Sequence, residues 1–268
     1  MKKYKGAVFF DYDGTLTDKD EKIYAPTAKT AEAVRRLQQN GYAACLATGR
    51  SKKYIPQLNI NFDCVITTNG GCTIHKDKIL GERPFNDSTI KDLVNYFNLS
   101  DMIYVLERPE KCFVNLPNDS LFNHMIGLFS VNPNVFTPLN EHIPENVHKI
   151  LLIYRNHEQL KDLKEKFSHD VNITSPEMRL TTCDINPKGV SKADGVKDVC
   201  QYFDIPLNNT YAFGDGENDY TMLRSVENGI AMLNHNPKLN SVASYITDSV
   251  KDEGIYKGLV HFGLIEPF

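Results

Sequence analysis

Short apolar runs alternate with amphipathic helical stretches at both ends of the chain, while a middle third sets strand-like runs next to one another. Together these patterns predict an α/β protein, a doubly wound parallel sheet interrupted by an inserted α+β domain. The length of 268 residues suits one large domain or two modest ones. With 41% apolar and 24% charged residues, 16 glycines, 13 prolines and no low-complexity tract, the composition excludes disordered, collagen-like and solenoid chains.

The first element, Ala7 to Phe10, is an apolar run that ends in acids, as a buried parallel strand does when it delivers side chains to a sheet edge. From Thr27 to Asn40, Ala28, Ala31, Val34 and Leu37 recur every three positions and Gly41 closes the run, which predicts an amphipathic helix. Tyr42 to Ala47 and Cys64 to Thr67 follow as short strands ending in the loops ATGR and TNGG. After Pro84 the rhythm changes to a helix over Thr89 to Asn98, then strands over Met102 to Glu107 and Lys111 to Leu116. A helix at Ser120 to Leu128, a strand at His148 to Tyr154, a helix at Glu158 to Phe167 and strands at Val171 to Thr174 and Arg179 to Cys183 complete this block. Tyr104, Phe113, Phe122, Phe129 and Tyr154 read as its core. From Lys192 the helical period returns at Val196, Val199, Cys200 and Phe203, followed by strands at Tyr211 to Phe213, Gly229 to Met232 and Tyr245 to Thr247. The expected division is a Rossmann-like core of residues 1–82 and 184–268, with an insert at 83–183.

Charge and composition exclude several partners. Thirty basic residues against 34 acidic ones leave a net charge of −4, so no global positive field holds a nucleic acid. No apolar run approaches the roughly 20 residues that span a bilayer, and the apolar stretch of MKKYKGAVFFDYDG is too short for a signal-peptide core. The cysteines at 45, 64, 72, 112, 183 and 200 form no CxxC pair and lie mostly in strand-like runs, which suits reduced, buried thiols. The expectation is a cytoplasmic protein, monomeric or weakly self-associating, without nucleic-acid or membrane partners.

In an open α/β sheet, ligands bind at the carboxyl ends of the strands. Here those ends carry Asp11-Tyr12-Asp13-Gly14, Thr48-Gly49-Arg50, Asn69-Gly70 and Gly214-Asp215-Gly216-Glu217-Asn218-Asp219. Asp11, Asp13, Asp215 and Asp219 on one edge repel one another, so cations are required. An all-oxygen set favours a hard ion, Mg²⁺, and Lys192 supplies a fixed positive charge. A calcium loop starting at Asp11 fails, because Leu16 and Lys22 stand where Gly and Glu are needed. The arrangement suits phosphoryl transfer, with Asp11 as nucleophile and Asp13 as general acid and base. Lys188, four residues before Lys192, competes for the role of fixed charge, and His235 alone among the histidines falls near a site loop.

FFDYDGTL, ATGR, Lys192 in GVSKADG and FGDGENDYTML stand in order, and the sequence resembles the haloacid dehalogenase superfamily of phosphohydrolases. The order of elements in the insert and its length resemble a type IIB cap of the Cof-type phosphatases. The resemblance implies that Asp11 is the nucleophile, Asp13 the general acid/base and Lys192 the charge neutraliser. It implies that Thr48 and Gly49 bind the phosphate with Asn69 and Asn218 close by, and that Asp219 orients Lys192 or a metal-bound water. The Mg²⁺ ligands would be Asp11, Asp215 and Asp13, the last through its backbone carbonyl. After GIAM, where the family commonly has Gly-Asn-Ala, this chain has Leu233-Asn234-His235. The implied activity is Mg²⁺-dependent hydrolysis of a small phosphorylated metabolite, a sugar phosphate foremost. A phosphomutase or phosphotransferase on the same scaffold and a non-catalytic regulatory module are the alternatives.

Overall fold

The computed structural model describes residues 3–128, 131–140, 142–174 and 181–268. Its elements run β1 (Gly6–Phe10), α1 (Ala28–Gln39), β2 (Tyr42–Ala47), β3 (Cys64–Thr67), β4 (Cys72–His75), β5 (Lys78–Glu82) and α2 (Asp87–Leu99). There follow β6 (Ile103–Glu107), β7 (Cys112–Val114), α3 (Ser120–Leu128), β8 (Phe136–Pro138), β9 (Lys149–Ile153), α4 (His157–Phe167), β10 (Val171–Thr174) and β11 (Thr182–Pro187). The chain closes with α5 (Lys192–Phe203), β12 (Thr210–Gly214), α6 (Tyr220–Ser225), β13 (Asn228–Ala231), β14 (Tyr245–Ile246) and α7 (Gly254–His261).

The larger sheet has the order β14-β13-β12-β1-β2-β3-β4-β5, parallel from β14 to β3 and antiparallel through β4 and β5. Both its faces are covered, so β1 carries apolar residues throughout. Ala7 and Phe9 enter one core cluster with Val196 and Val199 of α5, and Val8 and Phe10 enter the other with Val34 and Leu37 of α1. Phe10 stacks on Phe213 of β12 at 5.4 Å between ring centres. Each such ring contributes about 1.5–3 kcal/mol by leaving water. Pinning β1 between β2 and β12 fixes the strand end that carries Asp11.

The stripe that α1 buries is Thr30, Ala33, Val34 and Leu37, with Ala28 outside it. The expected spacing of three drifts off the face, because a helix turns once per 3.6 residues. Thr27 caps the helix, its hydroxyl accepting from the Thr30 N–H at 3.0 Å, and Gly41 takes φ +92° beyond Asn40. The β4–β5 hairpin and β8 were not anticipated; β5 is mostly exposed at a sheet edge, where no alternation marks it.

The second sheet has the order β10-β11-β9-β6-β7-β8 and is antiparallel except between β7 and β8. One face packs on α2 and α4 through Leu93, Phe97, Leu163 and Phe167. The other packs on α3 through Phe122, Met125 and Ile126. Tyr104, Phe122 and Tyr154 are buried and Phe113 is half-buried, whereas Phe129 lies outside the described residues, as does the start of the strand expected from Arg179. The sequence-derived boundary at 183/184 falls inside β11, which pairs with β9 and β10 and stays with this sheet to Pro187. All six cysteines are free and buried. Among the described residues no helix is long and apolar enough to cross a membrane.

Candidate active site

The loops after β1, β2, β3 and β12 meet at one edge of the larger sheet. Asp11 leaves β1 with its N–H donating to Phe213 O at 3.0 Å, which locks it beside the end of β12. Lys192 opens α5 and is fully buried; its ammonium donates to Asp11 Oδ1 at 2.5 Å and to Asp219 Oδ1 at 2.6 Å. The start of that helix is set by Ser191, whose N–H donates to Asp194 Oδ2 at 2.9 Å. Gly70, at φ +94°, lets the loop after β3 abut this turn, since a Cβ there would sit 1.9 Å from Ser191 O. Lys188 is exposed and bonds Ser168 O, so it does not compete for the site.

Asp219 works on two sides. Its Oδ1 takes Lys192 and its Oδ2 accepts the N–H groups of Asp215 at 3.0 Å and Gly216 at 2.9 Å. Both oxygens are thereby engaged, Oδ1 by the Lys192 ammonium and Oδ2 by the backbone N–H groups of Asp215 and Gly216. Asp215 Oδ1 accepts from the Thr15 hydroxyl at 2.8 Å. Gly14, at φ +90°, passes so close that a Cβ would lie 2.1 Å from Asp215 Oδ2, so the flap after β1 can cover Asp215 only with glycine there.

Asp13 is held in a bidentate pair by Arg50, Nε to Oδ2 and Nη2 to Oδ1, both at 2.8 Å, and Lys19 stands 3.5 Å away. Arg50 is thus a partner of Asp13. Thr48 is buried, and its hydroxyl oxygen accepts from the Arg50 N–H at 3.1 Å, leaving its own proton for an acceptor in the cleft. Gly49 lines that cleft beside Thr48. Asn218 donates to Asn69 Oδ1 at 3.1 Å, and Asn69 Nδ2 donates to Asp184 Oδ2 at 3.1 Å and Asn186 Oδ1 at 3.2 Å. Asn69 thus sits on the seam between the two sheets. His235 bonds Met232 O and Asn240 Oδ1 and serves its own loop.

The electrostatics follow from crowding. Burial, then the Asp219 carboxylate, push the Asp11 carboxyl up to about 7 despite Lys192. Burial, then Asp11 and Asp219, hold Asp215 well above the usual carboxylate range, with the Thr15 hydrogen bond opposing. Burial would also raise Asp13, but the Arg50 hydrogen bonds outweigh it and keep Asp13 low. Burial would discharge Lys192, yet Asp11 and Asp219 hold its pKa above the ordinary lysine value.

Oxygens of Asp11, Asp215 and Asp219 all lie within 4.8 Å of one another, with Lys192 as the one ammonium among them. With Asp219 engaged, burial and mutual repulsion push Asp11 and Asp215 toward their protonated forms; a second cation would favour their ionised forms, and their all-oxygen chemistry fits a hard divalent metal. The Asp13 side chain is turned to Arg50, so its backbone carbonyl is the donor it has left for such an ion.

The cleft over this edge has a volume of about 530 Å³ and is closed on its far side by the second sheet, with Lys149, Leu151, Ile153, Thr182 and Asp184 facing it. Contacts join the two parts beside it: Ser51 donates to Arg108 O at 2.6 Å, Tyr54 to Glu107 Oε1 at 2.5 Å and Lys52 to Glu110 Oε1 at 2.8 Å. None of Tyr54, Glu107, Lys149 or Asp184 was singled out from the sequence, where they stand outside every motif.

A family model described as haloacid dehalogenase-like hydrolase matches residues 8–259. The chain is 28% identical to a putative phosphatase of Bacillus subtilis, YkrA, over 97% of this chain and 98% of that protein. It is 25% identical to 5-amino-6-(5-phospho-D-ribitylamino)uracil phosphatase YitU of the same organism, over 95% of this chain and 96% of that protein. Among solved structures, the subclass IIB sugar phosphatase BT4131 superposes with a TM-score of 0.85 at 25% identity, covering 97% of this chain and all of that one.

Proposed function

The chain belongs to the haloacid dehalogenase-like hydrolases as a phosphatase with a subclass IIB cap, and on that premise we propose that it hydrolyses small phosphorylated metabolites, sugar phosphates among them, with Mg²⁺ and through an aspartyl-phosphate on Asp11. The observation that carries this reading is the Lys192 ammonium clamped between Asp11 and Asp219 at the open end of β1. A carboxylate raised to about 7 and paired to a buried ammonium is a nucleophile held in place.

In this mechanism Asp11 attacks phosphorus, the phosphorus–ester oxygen bond breaks, and Asp13 delivers a proton to the departing alkoxide. The paired form is ionised, so Asp13 must first release Arg50 and take up a proton from solvent, and that proton is the one it delivers. It then takes the proton from the water that attacks phosphorus and releases Asp11. The Thr48 hydroxyl and the Lys192 ammonium hold the transferring oxygens, with the N–H of Gly49 beside them. Mg²⁺, held by Asp11, Asp215 and the Asp13 carbonyl, would neutralise charge on the phosphoryl group when bound. The second sheet with its helices, from Arg83 to Pro187, acts as the cap that excludes water, a reading supported by the contacts at Tyr54 and Asn69. The names of the relatives, a sugar phosphatase and a phosphoribitylaminouracil phosphatase, support phosphomonoesters of hydroxylated metabolites as the substrate class.

The test is phosphate release from a panel of sugar phosphates, nucleotides and p-nitrophenyl phosphate with Mg²⁺ or EDTA. Mg²⁺-dependent turnover that drops at least ~10⁴-fold in Asp11→Asn is the expected result. Silence across the panel in folded, Mg²⁺-loaded protein would overturn the assignment.

A further inference from the structure

The loop after β3 has a left-handed backbone over three successive residues. Thr68 and Asn69 take φ +51° and +57°, and Gly70 follows at +94°. Asparagine tolerates that region and glycine has no Cβ to clash there, so the cost falls on Thr68, whose β-branched side chain is the least suited to it. The side chain does not offset this cost itself, since Thr68 is fully buried and its hydroxyl has no hydrogen-bond partner among the described residues. The loop is instead held from both sheets. From the larger sheet, Arg50 O accepts from the Thr68 N–H at 3.0 Å and Thr48 O from the Asn69 N–H at 3.1 Å. From the second sheet comes Asn186 of β11, buried and with its whole amide engaged. Its Nδ2 donates to Thr68 O at 2.9 Å and to His148 O at 3.2 Å, and its Oδ1 accepts from Asn69 Nδ2 at 3.2 Å.

From this arrangement we propose that Asn186 is a positioning residue for phosphoryl transfer: it holds the Thr68–Gly70 loop in its left-handed form and, through that loop, keeps Asn69 against Asn218 and the end of β2. The proposal rests on the phosphatase reading above. Asn186 does not line the cleft over Asp11, so its effect passes through the loop, whereas Asn218 and Thr48 both line it. The amide suits the task because one nitrogen reaches two carbonyls on different parts of the chain while the oxygen takes Asn69. Asp184 holds the Asn69 side chain as well, but not the backbone of the loop. The bond from the Gly71 N–H to Thr68 O, at 3.2 Å, lies within the turn and moves with it. Without Asn186, Thr68 is free to relax to negative φ, which unwinds the turn and carries Asn69 away from Asn218.

The experiment is a double-mutant cycle of Asn186→Ala and Thr68→Gly, with kcat and KM measured with Mg²⁺ on p-nitrophenyl phosphate and on the fastest ester of the panel above. Folding is checked by melting curves. Asn186→Ala should lower kcat about 10-fold, the population shift that the left-handed penalty of one residue supports. The factor should be the same for both esters, with KM within about 3-fold, because the loop acts on the phosphoryl end in the transition state. Glycine at 68 takes the left-handed form without strain, so in the Thr68→Gly background the Asn186→Ala effect should shrink to about 3-fold or less. An unchanged kcat in folded Asn186→Ala overturns the proposal, as does a loss confined to KM or to one ester. A loss that persists undiminished in the Thr68→Gly background also overturns it, since a residue that merely supports the second sheet gains nothing from a relaxed loop. If Asn186→Ala does not fold, the double variant is read for recovery of the fold and of phosphate release, and lack of recovery overturns the proposal. Each of these outcomes leaves the wild-type phosphatase reading intact, whereas wild-type protein that releases phosphate from no ester removes that reading and the proposal with it.

Discussion

The two walls of the cleft are built on opposite terms. On the larger sheet, Asp11, Asp215 and Asp219 converge around one ammonium, and each is fixed by short bonds to backbone or to a neighbouring side chain. On the second sheet, the buried Lys149 ammonium pairs with Asp184 at 3.0 Å and Glu107 at 3.3 Å beside an apolar surface that offers a partner no direction. The difference teaches where each part of an enzyme's work is done. Reactive groups must be preorganised to a fraction of an ångström, so they sit at strand ends in a rigid parallel sheet. Discrimination among leaving groups needs shape and polarity, which the face of an antiparallel sheet can supply without charge crowding.

Removing the shared cation is the most severe way to break the first wall. Lys192→Met keeps the length of the side chain but leaves Asp11 and Asp219 buried without a counter-charge. The variant should lose phosphate release altogether and about 3–5 kcal/mol of stability, read by chemical denaturation at pH 7.5. Next in size is the second cation. Mg²⁺ at 100 times its dissociation constant should stabilise the wild-type protein by about 2.7 kcal/mol in thermal melts. Asp215→Asn should lose most of that shift and drop in turnover by more than the roughly 10- to 100-fold that an outer-shell group is worth. Without metal the same variant should melt at or above the wild type, because burial and Asp11 hold Asp215 far above the usual carboxylate range and ionised Asp215 destabilises the fold at neutral pH. A variant that keeps its full Mg²⁺ shift would remove Asp215 from the metal site.

The same contrast explains what could be read in advance. The wall proposed as catalytic was legible because its residues sit in short segments just after strands, where DYDG, ATGR and GDGEND pack several reactive types within a few positions. The role of Arg50 was not, since ATGR does not say that the guanidinium turns back to Asp13 rather than outward. The opposite wall was illegible for a physical reason. Its residues come singly from α3, β8, β9 and β11, and Lys149 opens the run KILLI, where a strand's solvent end is the ordinary reading. Only the antiparallel register that sets Glu107 and Leu151–Asp184 around it shows that Lys149 is buried and paired. The same limit shifted the α1 stripe and cut β11 at 183, because periodicity gives the type of an element more firmly than its phase or its end.

The smallest effect separates the walls by pH. Burial, only partly offset by Lys149 and the Tyr54 hydroxyl, pushes the Glu107 carboxyl up to about 7. A carboxyl raised in the folded state contributes stability that is complete below the unfolded value near 4.5 and is lost as pH rises through 7. The cost that ionised Glu107 imposes should therefore grow by about 2 kcal/mol between pH 5 and 7 and level off above. Glu107→Gln keeps an acceptor for Tyr54 but cannot ionise, so its melting temperature should gain on that of the wild type across this interval and run parallel to it above pH 8. A difference between the two proteins that stays constant from pH 5 to 8 would mean that Glu107 is ionised throughout and fully neutralised by Lys149, making the second wall as tightly charge-paired as the first.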